Sequence, residues 1–181
     1  MLSTAVIQYP DFSEAGINAL CDRFLEKMAA YINDVTVVSS LFINSNKEEL
    51  STGYDISLEK IDKFLHTLLK NDLVKTIDLD TFPDPDSPQF DQEFRNLETT
   101  FSKLHSPDAQ TLKDILQSFF HTVGLHGHIF LVFRAAELIV YPHTDDLGFI
   151  SMNPVRRHEQ KEKLQTRFCD FQSSNVKSCS N

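Results

Sequence analysis

Three of the seven histidines and an Asp-Asp pair crowd into one stretch of this chain, HGHIFLVFRAAELIVYPHTDDLGFISM, residues 126–152. Imidazoles and carboxylates brought together are the ligand types of a zinc or non-haem iron site. Strand register decides whether they meet. With Ala135-Ala136 as the loop, or equally a four-residue loop over Arg134 to Glu137, Val132 faces Ile139, Phe130 faces Tyr141 and His128 faces His143. Ile129, Leu131, Phe133, Leu138 and Val140 then form one wholly apolar face, as a core face requires. Arg134 and Glu137 begin the other face as an opposite-charge pair. His126, His128, His143 and Asp145 share that second face and are the candidate metal ligands. The same residues also read as a solvent-facing histidine cluster. Gly124 and Gly127 make the start of the first strand irregular, and Pro142 ends pairing near His143. A contact that titrates near neutral pH is a third use of the same imidazoles. Asp145-Asp146-Leu147-Gly148 reads most simply as the tight turn into a third strand.

A second group of carboxylates runs from residue 78 to 93: Asp78, Asp80, Asp84, Asp86, Asp91 and Glu93, with no Lys or Arg among them. Pro83, Pro85 and Pro88 exclude helix and central strand across 81–88. The acidic residues therefore fall on a stiff, exposed loop. Such a loop is either a solvated connector or a surface preformed for a basic partner, because proline lowers the ordering cost of binding. It is also the candidate internal linker of what otherwise reads as one domain over 1–170.

The net charge of −9, from 17 basic and 26 acidic residues, argues against nucleic acid or an anionic membrane as direct partner. It favours attraction to a basic protein. No GxSxG, HExxH, Walker or GxGxxG pattern occurs, and five glycines leave little material for phosphate-cradling loops. Cys21, Cys169 and Cys179 have no ligand-like spacing, and the N-terminus shows no secretion signal. Free thiols in a cytoplasmic protein are expected. No apolar run has the length of a membrane span.

The elements that must position these groups follow from periodicity. Helices are predicted over 13–33, 57–71, 89–104 and 107–123. Ser13 and Ser57 cap the first two. Ser106 caps the last, with Pro107 at its first position and Gly124 past its end. Residues 35–43 are rich in β-branched side chains and read as a strand; 73–80 alternate as a short or edge strand, and 44–56 read as a loop. A basic surface helix is expected after Met152, from Arg156 to Arg167, and 171–181 read as a disordered tail. The expected fold class is α+β, with the helices packed on an antiparallel sheet centred on a C-terminal three-stranded meander, 128–152.

The segment FLVFRAAELIVYPHTDDLGFISM, with its YPHxDDxGF turn, resembles the small acidic immunity proteins of bacterial toxin systems, including contact-dependent growth inhibition. It covers 23 of the 181 residues. The resemblance implies a non-enzymatic cytoplasmic inhibitor, without cofactor, that binds a cognate toxin, a basic nuclease, and covers it. Interfaces in such families are diverse, so no residue role carries over. On this reading the partner-binding residues are Asp78, Asp80, Asp84, Asp86, Asp91 and Glu93, with Asp145 and Asp146 next. The alternative is a metal-binding domain or metal-dependent enzyme using His126, His128, His143 and Asp145.

Overall fold

The structure, a computed structural model, describes residues 4–8, 13–46, 51–52, 58–84, 86–143 and 146–152. It is an α+β fold. Its helices are α1 (Glu14–Met28), α2 (Leu58–Lys70), α3 (Pro88–Thr99) and α4 (Ala109–His121). Its strands are β1 (Thr4–Gln8), β2 (Val35–Ser39), β3 (Leu41–Asn44), β4 (Ser51–Thr52), β5 (Val74–Ile77), β6 (Ser102–His105), β7 (Thr122–Val123), β8 (Ile129–Phe133), β9 (Leu138–His143) and β10 (Asp146–Ser151). Six of them form one antiparallel sheet in the order β1-β10-β9-β8-β2-β6.

Three helices bury the stripes their spacing predicts. α1 buries Ile17, Leu20, Cys21, Phe24 and Met28; α2 buries Ile61, Phe64, Leu65 and Leu68; α4 buries Leu112, Ile115, Leu116 and Phe120. These meet Val35, Val37, Ile129, Leu131, Phe133, Leu138, Val140, Leu147 and Phe149 on the inner face of the sheet. Phe24 meets Phe133 edge to face, with ring centroids 6.1 Å apart. Removing a ring so enclosed costs about 3–5 kcal/mol. Glu14 and Lys60 form an ion pair at 2.5 Å between α1 and α2. Its hydrogen bond holds the Glu14 carboxyl below the usual range.

Helix ends depart from expectation for local reasons. The α1 carboxyl end tightens into a 3-10 turn over Ala29–Asp34. α4 is capped by Asp108, not Ser106. The Asp108 carboxylate accepts from the Thr111 N–H at 2.7 Å, which lowers its pKa. Ser106 instead has φ 47° and donates its hydroxyl to the Asn33 carbonyl at 3.0 Å. α4 stops at His121, and β7 pairs with β4 inside the expected 44–56 loop. The third predicted helix ends at Thr99, and β6 then pairs with β2.

The strand expected over 35–43 divides at Ser40. Ser39 donates its hydroxyl to the Leu73 carbonyl at 2.5 Å and accepts from the Leu41 N–H at 3.2 Å. Its first half, β2, borders β6; its second half, β3, runs parallel to β5. Both halves keep the same partner on the other side. Val35 pairs with Phe133, Ser39 with Ile129, and Phe42 and His126 exchange both backbone hydrogen bonds at 3.0 Å. Gly127 lies between, at φ +91°, where a Cβ would sit 2.3 Å from the Ser40 carbonyl oxygen.

β8 and β9 adopt the expected register, Leu131↔Val140, Val132↔Ile139 and Phe133↔Leu138, around a turn closed from Glu137 N–H to Arg134 carbonyl at 3.0 Å. The ladder contains only these pairs, so His128 is not seated across from His143. Asp146 already begins β10, paired with His143. Leu147 and Gly148 are therefore strand, not turn. Gly148 is needed because the Tyr141 ring lies on it, 1.8 Å from where a Cβ would stand. β1, which has no counterpart in the sequence-based reading, adds to the far side of β10. No helix among the described residues is long and apolar enough to cross a membrane. The side chains of His143 and Asp146, all of Asp145, and the stretches read as a basic helix (156–167) and a tail (171–181) lie outside the described residues.

Candidate functional site

α3 is unlike the other helices. Phe90, Phe94 and Leu97 recur at helical spacing, yet none of its residues is fully buried. The stripe is only half covered. At about 100° per residue, Asp91 and Glu93 fall on opposite sides of it.

The segment leading into α3 is a series of capped turns. The Asp78 carboxylate accepts from the Asp80 N–H at 3.1 Å and starts a 3-10 turn over Leu79–Thr81. Asp84 accepts from the Asp86 N–H at 2.9 Å. Ser87 accepts from the Phe90 N–H at 3.3 Å and caps α3, with Pro88 in its first turn. Asp91 then lies in that turn, near the positive end of the helix dipole. Asp78, Asp80, Asp84, Asp86, Asp91 and Glu93 are all exposed. Thus the turns hold Asp78, Asp80, Asp84 and Asp86 on the surface, with Asp78 and Asp84 shaping them, while Asp91 and Glu93, expected on the loop, stand on α3.

Between the turns and α3 runs an open groove of about 380 Å³. Phe82, Phe90, Phe94 and His126 supply its rings, Leu79 and Pro83 its aliphatic wall, and Asp84 a carboxylate. Phe90 stacks on Phe94 with centroids 5.7 Å apart and ring planes 21° apart. Phe82 meets Phe90 edge-on at 6.0 Å. Phe94 stands edge-on to the buried Phe42 at 5.3 Å, and Phe42 stacks on His126 at the same separation. The β3–His126 pairing thus anchors the floor to the core. Helical spacing aligns Phe90 and Phe94 on one face, as it does the core stripes of the other helices, without showing what covers that face. The only advance signal of the groove was the acidic residues flanking that apolar repeat.

Of the expected metal ligands, the side chains of His126 and His128 fall among the described residues and those of His143 and Asp145 do not. His126 belongs to the aromatic groove. His128 is exposed beside Phe130, with centroids 6.1 Å apart, and its backbone N–H donates to the Ser40 hydroxyl at 3.1 Å. Among the described residues no group of three or more His, Cys, Asp or Glu is arranged to hold a metal ion. Three carboxylates in the acidic stretch are committed to turns or a helix end.

One chemically notable residue went unmarked in the sequence. His121, at the end of α4, is 0% exposed and stacks on Phe64 at 5.3 Å and 11°. Neither ring nitrogen has a hydrogen-bond partner among the described residues. Burial lowers its pKa, Glu14 opposes that shift and Lys60 adds to it. Cys21 is also enclosed, and burial pushes its thiol up to about 12, which makes it an inert core residue. No family model, curated protein or solved structure matches this chain.

Proposed function

We propose that this chain is an immunity-type inhibitor, a non-enzymatic cytoplasmic protein that neutralises a basic protein toxin, a nuclease, by covering it. The observation that carries this reading is the acidic face. Six exposed carboxylates lie between Asp78 and Glu93, four in the turns before α3 and two on α3 itself, beside a half-covered aromatic stripe. No Lys or Arg interrupts the chain from Thr76 to Phe94. A single-sign field of this kind accelerates encounter with an oppositely charged protein and repels nucleic acid and anionic lipid. Preformed turns lower the ordering cost on binding. Binding needs neither cofactor nor metal. Asp145 and Asp146 are the second-choice contacts.

The test is co-expression with the product of the neighbouring gene, which in such a system is the toxin. The wild-type chain should co-purify with it and protect cells. Asp78→Asn, Asp80→Asn, Asp84→Asn and Asp86→Asn together should weaken both effects while leaving the fold intact, because Asn keeps the turn hydrogen bonds. Absence of both co-purification and protection by the wild type would end this reading.

A further inference from the structure

We infer that the aromatic groove on the acidic face seats a long cationic side chain, an arginine, presented by a basic protein partner. The inference rests on reading that face as the partner-binding surface and names what its centre recognises.

The groove's chemistry selects for a cation with an apolar stem. Phe82, Phe90 and Phe94 line it, and ring faces carry the negative part of the aromatic quadrupole, which attracts ammonium and guanidinium groups. Leu79 and Pro83 offer aliphatic surface for the methylene stem that such side chains bury while keeping their charge wet. Asp84 sets a carboxylate on the lining, and its exposed position lets it meet a charged head group. A neutral apolar side chain would use the rings and waste the carboxylates; an acidic one would be repelled.

Shape narrows the choice. A volume of about 380 Å³ is near the lower end of ligand pockets, which run from roughly 300 to 1,000 Å³, and suits a side chain better than a cofactor. Phe90 and Phe94 stack on one another with ring planes 21° apart, so a guest can use only the sides of this pair that face the groove. A planar, weakly hydrated guanidinium stacks on such faces, whereas a lysine ammonium is a strongly hydrated point charge. The stripe on α3 is also the one helix face in the described fold whose repeat is left half open. Charge complementarity therefore identifies its cover as a basic protein segment.

Carboxylates also favour arginine over lysine through bidentate pairing, so the part of the preference that is lost with the rings isolates their contribution. The probes are labelled hexa-arginine and hexa-lysine peptides, titrated at low salt against the full chain by fluorescence anisotropy. The wild type should bind hexa-arginine about three- to ten-fold more tightly than hexa-lysine. Phe82→Leu with Phe90→Leu should cut that preference by at least about two-fold and keep the hexa-lysine affinity. Both rings are half-buried, and Leu preserves apolar bulk, so the fold should persist; a matching circular dichroism melt checks it, and Phe82→Leu alone serves if it does not. The four aspartate-to-asparagine changes should weaken both peptides. Equal binding of the two peptides, or a preference undiminished by loss of the two rings, would overturn the groove assignment and leave the acidic face standing. Failure of both peptides to bind would overturn both.

Discussion

His121 gives the sharpest test of how the core is built. Its imidazole is fully enclosed, lies flat on Phe64, and has no hydrogen bond at either nitrogen among the described residues. A buried polar group left unsatisfied costs about 1–3 kcal/mol. His121→Phe removes both such atoms and keeps a ring for Phe64 to stack on. The phenyl ring is somewhat larger, and overpacking will offset part of the gain. A net stabilisation of about 1 kcal/mol at neutral pH is expected, a rise in Tm of about 2–4 °C for a chain of this size. The sign of the pH effect follows from the shift. Burial lowers the folded-state pKa below the ordinary 6.5, so the unfolded chain takes up the proton first. Stability is fully present above 6.5 and falls as pH drops below it, until the folded imidazole also protonates. Between pH 7.5 and 5.5 one such group removes at most about 1.4 kcal/mol. Glu14 and Lys60, which face the ring from α1 and α2, act in opposite senses and leave burial in control. Urea denaturation of wild type and His121→Phe at both pH values measures the difference, and the other histidines cancel in the comparison. A variant as acid-sensitive as the wild type, or less stable by more than about 2 kcal/mol, would refute the reasoning.

Further outcomes follow from the packing. Phe24→Ala should cost about 3–5 kcal/mol, whereas Phe90→Ala, on the half-open stripe, should cost less than about 1.5 kcal/mol; chemical denaturation of the pair checks whether α3 truly lacks a full cover. Gly127→Ala forces a Cβ onto the Ser40 carbonyl at a positive φ and should cost more than about 2 kcal/mol. Gly148→Ala displaces only the Tyr141 ring and should cost about 1–3 kcal/mol, read out in the same assay. In a Cys169→Ser, Cys179→Ser background, the Cys21 thiol should resist a disulfide reagent near pH 8 until urea unfolds the chain, because its pKa is pushed up to about 12; rapid reaction in the native state would contradict its enclosure.

What the sequence made legible depends on how local the cause is. The stripes of α1, α2 and α4 were readable because one helix face meets one core. So was the alternation through Leu131 to Val140, because a slipped register would expose every apolar side chain. The split at Ser40 was not, since it depends on a hydroxyl reaching the Leu73 carbonyl across the fold. Nor was β1, whose partners lie at the other end of the described chain, Thr4 against Ile150. Phe101 and Leu104 continue the spacing of Phe90, Phe94 and Leu97, and that accident extended the third predicted helix over β6. For the site, the acidic residues could be seen and their exposure argued from the prolines. The groove could not, because periodicity shows that Phe90 and Phe94 share a face without showing what covers it. The register of Leu131 to Val140 did not reveal that His126 stacks on Phe42, because that contact depends on β3 pairing beside it.

The central claim is that the face from Asp78 to Glu93 meets a basic protein. Its most direct test is the association rate between this chain and the neighbouring-gene product, measured by stopped flow from about 20 mM to about 500 mM salt, a range over which screening shortens from long to contact distances. The account predicts that the wild-type rate falls at least about ten-fold across that range, and that the four-asparagine variant starts slower and falls less. The same rate and the same salt slope for both proteins would contradict it.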